Sequence, residues 1–171
     1  YKAHIYFKMR VVSVDPGLRN FGVAIFEDNK LVEFDSICIW DMVPKGKRKD
    51  YAYIARTLVE KTSIFEGADV VLIERQMQSR MIVIATALRC FFWNKSKMVA
   101  PISVRKYFGI STGKYRNNKK ASIELAPKFL NEAQLKKFKT HKKKDDLSDS
   151  VLQGLWYIWS PKGPYLKQQL S

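Results

Sequence analysis

Residues Arg10–Asp15 read RVVSVD, and Phe21–Glu27 read FGVAIFE. The first is a β-branched run that ends in a carboxylate and then in a turn signal, Asp15-Pro16-Gly17. The second is again apolar and strand-like. Asp28-Asn29 follows it as a tight-turn signal and leads into Leu31–Trp40, LVEFDSICIW. These segments predict three strands in an antiparallel meander, closed by the polar stretch Lys45–Asp50.

Downstream the periodicity changes. Tyr51–Phe65 has helical spacing, with Ile54, Leu58, Val59 and Ile64 near one face. Asp69–Glu74, DVVLIE, reads as a buried central strand that again ends in a carboxylate. Gln78–Trp93 is a second helix, apolar nearly all round. Met98–Pro101 is a short fifth strand, and Ser103–Phe108 a helical turn. Ser111–Asn118 reads as an exposed basic loop. Lys119–Leu130 is helical until Pro127 bends or ends it. A lysine run fills Lys136–Lys144. Asp145–Trp159 is an amphipathic helix carrying Leu147, Val151, Leu155 and Ile158 on one face, stopped by Ser160-Pro161. The order β-β-β-α-β-α-β, then helices, predicts an α/β protein with a five-stranded mixed sheet flanked by helices on both faces. That is the sequence plan of the ribonuclease H-like fold. Residues 9–160 form this one domain, with 161–171 as a C-terminal tail. Tyr1–Lys8 precede Met9 and read as an appended remnant or a leader.

The chain has 171 residues, 46% of them hydrophobic, enough for a buried core. It has 31 basic and 16 acidic residues, a formal net charge of +15. Residues 94–144 hold 15 Lys or Arg against only Glu124 and Glu132. An excess this concentrated points to a polyanionic partner met by one segment; the alternative is a solvated basic face. Cys38 and Cys90 lack metal-site spacing and do not cluster with His4 or His141, so a zinc site or disulfide framework is not expected. The chain reads as a protein of a reducing, intracellular compartment. Its longest apolar run, Met81–Trp93, is interrupted by Arg89 and too short to span a bilayer, so no membrane partner is expected.

Carboxylates are the groups able to carry chemistry. Asp15 ends the first strand and Glu74 the fourth. In an open α/β sheet the functional crevice lies beyond the carboxyl ends of neighbouring parallel strands, so these two converge if the strands are adjacent. Asp146 and Asp149 are three apart at the start of the last helix and share a face. Four acids brought together repel one another and persist around a cation; hard oxygen ligands select Mg²⁺ or Mn²⁺. Other readings exist for each. Asp15 suits a turn start, Glu74 an ion pair with Arg75 or Arg80, and Asp145, Asp146 and Asp149 a helix N-terminus. Gly17 and Gly22 permit a tight turn and a close approach beside the first strand.

The strings Ser13-Val14-Asp15-Pro16-Gly17-Leu18-Arg19-Asn20-Phe21-Gly22, Leu72-Ile73-Glu74-Arg75-Gln76 and Lys144-Asp145-Asp146-Leu147-Ser148-Asp149-Ser150 together resemble the RuvC-type Holliday junction resolvases, most of all the poxvirus branch. The resemblance runs from Met9 to about Ser160. It implies four catalytic, metal-binding acids, Asp15, Glu74, Asp146 and Asp149. It implies Mg²⁺, two ions per site with Mn²⁺ able to substitute, and no small-molecule cofactor. It also implies a homodimer that binds branched DNA, above all four-way junctions, and nicks two opposed strands to leave 5′-phosphate ends. A poxviral member would act in the host cytoplasm. Met77 departs from the pattern, because many bacterial members carry an aromatic there. The DNA-contacting candidates are Lys114, Arg116, Lys119, Lys120, Lys142, Lys143 and Lys144. The alternatives are an RNA–DNA hybrid nuclease or a non-catalytic nucleic-acid-binding module on the same fold. The surplus apolar surface of Gln78–Trp93 predicts an isologous dimer on that helix, with Ala85, Ala87 or Leu88 near its centre.

Overall fold

A computed structural model describes residues 9–161. The leader or remnant Tyr1–Lys8 and the tail from residue 162 onward lie outside the described residues. The meander forms as expected. β1 (Arg10–Asp15), β2 (Phe21–Glu27) and β3 (Lys30–Ile37) pair antiparallel in that order, and Asp15 stands opposite Gly22. Asp28 and Asn29 both take positive φ, 48° and 67°, the conformation a two-residue hairpin demands. β3 ends at Ile37 rather than Trp40. The amides of Ile39 and Trp40 both donate to the Leu18 carbonyl, at 3.1 and 3.3 Å, which pulls Ile39–Met42 off the sheet into a 3-10 turn.

α1 (Tyr51–Lys61) starts where Asp50 accepts from the Tyr53 amide at 3.0 Å. β4 (Val70–Glu74) pairs parallel with β1, α2 (Ser79–Phe91) follows, and β5 (Ser96–Val99) pairs parallel with β4. The strand order is β3-β2-β1-β4-β5. β5 begins two residues before the apolar signal, because an edge strand admits polar Ser96 and Lys97. α3 (Pro101–Tyr107), α4 (Tyr115–Leu125), α5 (Glu132–Thr140) and α6 (Lys144–Trp159) complete the described chain. Two expectations fail here. Only the first residues of the basic loop are loop, since α4 begins at Tyr115. The lysine run conceals α5, which Asn131 starts with a reciprocal capping box to Gln134. Its lysines hide the amphipathic pattern because Phe138 is its only fully buried residue.

Side chains alternate across the sheet and build two cores. Val12, Val14, Val23, Ile25, Val71 and Ile73 meet α1 and α2. Val11, Ala24, Phe26, Phe34 and Leu72 meet α3, α6 and the α4–α5 connection. Within α2, Met81, Ile84, Ala85 and Leu88 are buried in the monomer. Ala85 and Leu88 therefore cannot centre a dimer interface, and Ala87, partly buried against the same core, offers little surface to one. The surplus apolar face is instead Ile82, Val83, Phe91 and Trp93, the last 68% exposed.

α6 lies directly against β1 and β2. A Cβ on Gly154 would stand 2.1 Å from the Phe26 ring, and one on Gly22 would stand 2.4 Å from the Asp146 carbonyl oxygen. Both glycines let the helix sit closer than any side chain allows. Gly22→Ala must push the first turn of α6 off the sheet. It should cost roughly 1–3 kcal/mol in urea denaturation; an unchanged midpoint would contradict this seating of α6.

Candidate active site

β1 and β4 run parallel and side by side, with Val14 level with Ile73, so their last residues emerge together. Asp15 and Glu74 thus reach the same edge of the sheet. α6 brings Asp149 to them across the contact at Gly22. One carboxylate oxygen from each of Asp15, Glu74 and Asp149 lies within 4.8 Å of the other two. Asp146 lines the same cleft without joining that close set. The cleft encloses about 640 Å³ and is walled by the turn after β1, Trp40, the loop after β4, and residues of α3 and α4.

Electrostatics marks the cluster as under strain. Burial, then the charges of Glu74, Asp149 and Asp146, push the Asp15 carboxyl well above the usual range. Burial and the Asp149 charge push Glu74 up to about 8. Burial raises Asp149 as well, against a hydrogen bond from Ser122 and the nearby charges of Lys119 and Arg105. Asp146 is raised to about 6, mainly by burial and its neighbour Asp145. Asp145 behaves oppositely. Its burial is outweighed by Lys119, whose Nζ stands 2.6 Å away, and its carboxyl is held below the usual range. Asp145 is thus committed to an ion pair while its neighbours face the cleft. Burial opposes the charge on Lys119, but Asp145 and Tyr115 more than offset this and raise its pKa. Neither Arg75 nor Arg80 pairs with Glu74 among the described residues.

The donor set fits a hard divalent cation: half-buried, mutually repelling oxygen ligands whose repulsion is relieved either by protons or by a cation. Asp15, Glu74 and Asp149 would hold it, with Asp146 beside them.

Sequence reasoning missed three contributors. Gln76 donates to Asp15 at 3.0 Å and to Glu74 at 3.3 Å, tying the pair together. Arg105 supplies positive charge to Glu74 and Asp149, and its Nε is buried without a partner. Ser122 is buried against Asp149. Gln76 is visible in the sequence only as the end of the Ile-Glu-Arg-Gln string; Arg105 and Ser122 carry no signal. Of the basic candidates, only Lys119 lines the cleft. Lys114, Arg116, Lys120, Lys142 and Lys143 are exposed outside it, and Lys144 is half-buried.

Residues 9–160 match the sequence model of the poxvirus A22 protein. The chain belongs to the poxvirus A22 family. A solved structure of fowlpox virus resolvase with its substrate Holliday junction DNA is 25% identical to this A22-family chain, covers 95% of it and 100% of its own length, and superposes with a TM-score of 0.61. The yeast mitochondrial Holliday junction resolvase is 18% identical over 90% of this chain and 81% of its own, with a TM-score of 0.63. Thermus thermophilus RuvC in complex with a Holliday junction substrate is 14% identical over 95% and 98%, with a TM-score of 0.54. The A22-family chain therefore has the resolvase variety of the ribonuclease H-like fold. No curated protein sequence matches it. No helix among the described residues is long and apolar enough to cross a membrane.

The raised carboxyls set the sign of the pH response. Glu74 binds its proton more tightly folded than unfolded, so the native state holds more protons between the ordinary carboxylate range and about pH 8. Metal-free protein should lose stability as pH rises from 5 to 8.5, by on the order of a few kcal/mol in chemical denaturation. Glu74→Gln should flatten that slope. A wild-type stability independent of pH over this window would show that the cluster is not crowded.

Proposed function

We propose that this chain is a metal-dependent endonuclease that resolves four-way DNA junctions by paired nicks in opposed strands, leaving ligatable 5′-phosphate ends. The observation that carries the reading is the half-buried, closely spaced trio Asp15, Glu74 and Asp149 at the carboxyl edge of two parallel strands. The family match and the likeness to the fowlpox resolvase, solved with junction DNA, support the choice of substrate.

Mg²⁺, with Mn²⁺ able to substitute, is the cation we assign to Asp15, Glu74 and Asp149, with Asp146 completing the set. Bound there, it supplies Lewis-acid activation of water and neutralises charge building on the phosphate. The chain's own groups do the rest. Gln76 fixes the angle between Asp15 and Glu74. Arg105 and Lys119 offset the trio's charge from the α3–α4 side, so a phosphodiester can approach four carboxylates. Lys114, Arg116, Lys142 and Lys143 face solvent, as does Lys120 beside its i,i+4 partner Glu124, and Lys144 is half-buried; these are the cations we assign to phosphates. Such contacts give affinity without sequence readout. Branch geometry then selects the substrate.

A homodimer supplies the second cut. The outward side chains Ile82, Val83 and Phe91 of α2, with Trp93 just after its end, are the surface we assign to the interface. A two-fold pair of copies matches the two-fold symmetry of an open junction and presents one cleft to each opposed strand. The setting is viral DNA in the host cytoplasm.

End-labelled four-way junction, linear duplex and RNA–DNA hybrid, incubated with the chain in Mg²⁺, test the reading. The junction alone should be cut, at symmetric positions. Asp15→Asn, Glu74→Gln and Asp149→Asn should each slow cleavage at least ~100-fold while junction binding persists, because they remove ligands and not phosphate contacts. Asp145→Asn should be milder. Val83→Glu should give a folded monomer that makes single, uncoupled nicks. Preferential cutting of the hybrid would overturn the reading, as would no cutting of any substrate.

A further inference from the structure

Arg19 and Arg48 share one aromatic platform. The Arg19 guanidinium lies 4.8 Å from the centre of the Trp40 ring, and that of Arg48 lies 5.7 Å from it. Arg48 also donates to the Trp40 carbonyl at 3.1 Å. Both amides that start the 3-10 turn donate to Leu18, the residue before Arg19. The turn after β1 and the Trp40 turn are therefore locked together, and the stack is built rather than incidental. Among the described residues, neither arginine has a carboxylate at ion-pair distance. Arg19 is exposed, and Arg19 and Trp40 both line the acidic cleft.

The position of this stack is what gives it meaning. Leu18, Ile39 and Val43 belong to the core on the α1–α2 face of the sheet. Arg105 and Lys119 come from α3 and α4, on the opposite face. The carboxylates sit between, at the sheet edge. A DNA strand crossing them meets Lys119 and Arg105 on one side and the Arg19–Trp40 wall on the other. Four acids repel a phosphate backbone, so holding it across the cleft takes cations on both sides. A guanidinium laid on an indole is weakly hydrated and keeps its N–H edge free for bidentate phosphate contact. Lys45, Lys47 and Lys49 flank Arg48 in sequence and are exposed. Charge counting conceals this wall, because the first half of the chain is nearly balanced.

We propose that Arg19, stacked on Trp40 with Arg48 on the same ring, contacts the sugar–phosphate backbone of the DNA strand entering the acidic cleft, on the side opposite Lys119. The proposal deepens the nuclease reading and rests on it for the identity of the polyanion. Binding of the full-length chain to a fluorescent four-way junction, followed by anisotropy in magnesium-free buffer from 50 to 200 mM KCl, tests it.

Arg19→Ala should weaken binding about tenfold, as expected for loss of a charge-assisted contact. It should lower the log–log salt slope by about 0.9, the value of one phosphate. Arg19→Lys should restore the slope but not the full affinity, since it returns charge without the planar fork. Arg19 is exposed, so these variants should keep the wild-type melting temperature; Arg19→Gln, which retains length and polarity, repeats the test if the alanine variant melts early. A folded Arg19→Ala or Arg19→Gln protein with wild-type affinity and slope would overturn the proposal. Failure of the nuclease reading has a separate signature: wild-type protein that binds DNA but cuts no junction, with the Arg19 slope change still present.

Discussion

Residue 22 has no side chain, and the site depends on that. α6 reaches the carboxyl edge of the sheet because its Asp146 carbonyl passes where a Cβ on residue 22 would stand. The register of β1 and β2 sets Gly22 opposite Asp15. One backbone contact therefore decides how near the helix carboxylates come to the strand carboxylates. The helix is held there from the other side by buried polar groups. Ser13 donates to the Ser150 carbonyl at 2.7 Å, and Gln153 donates to Ser13 at 3.0 Å and to the Val14 and Leu72 carbonyls of β1 and β4 at 3.2 and 3.3 Å. Such a network, specified inside an apolar layer, fixes a helix in depth and rotation more tightly than apolar packing alone.

The consequence is a region of concentrated negative charge in a strongly positive protein. Crowding raises the carboxyls, and cations ring the cleft rather than fill it. Lys119 is held by Asp145, and Arg105 reaches Glu74 and Asp149 through space. Part of the lysine excess serves the fold. Lys137 of α5 pairs with Asp35 of β3 at 2.9 Å and caps the Phe34 ring, anchoring α5 to the meander. The basic segment is thus not one uniform surface for a polyanion. Some of its charges hold the fold, two, Arg105 and Lys119, face the cleft, and others are exposed to solvent.

The legible parts of the sequence are those where local rules and global fold agree. Two strands ending in carboxylates, and two acids three apart at a helix start, single out Asp15, Glu74, Asp146 and Asp149 along the chain; the structure brings three of them within 4.8 Å and leaves Asp146 beside them. α5 stays hidden because helix periodicity is read through hydrophobicity, and Phe138 alone carries it. Ala85 and Leu88 look available for an interface because a helix apolar all round does not say which stripe its own sheet will claim. Arg19 and Trp40 are 21 positions apart and meet only because two amides bond the Leu18 carbonyl; no pattern along the chain reports such a contact. Gln76 serves two acids from a loop, where spacing carries no rule.

Folding crowds these carboxylates so tightly that Glu74 keeps a proton near neutral pH until a cation displaces it. Calorimetric titration of Mg²⁺ into the metal-free protein at pH 7.5, repeated in buffers of different ionisation enthalpy, measures this directly. With Glu74 at about 8, binding should release roughly one proton per site, and Glu74→Gln should bind Mg²⁺ more weakly with less release. Tight Mg²⁺ binding with heats identical in every buffer would contradict the account.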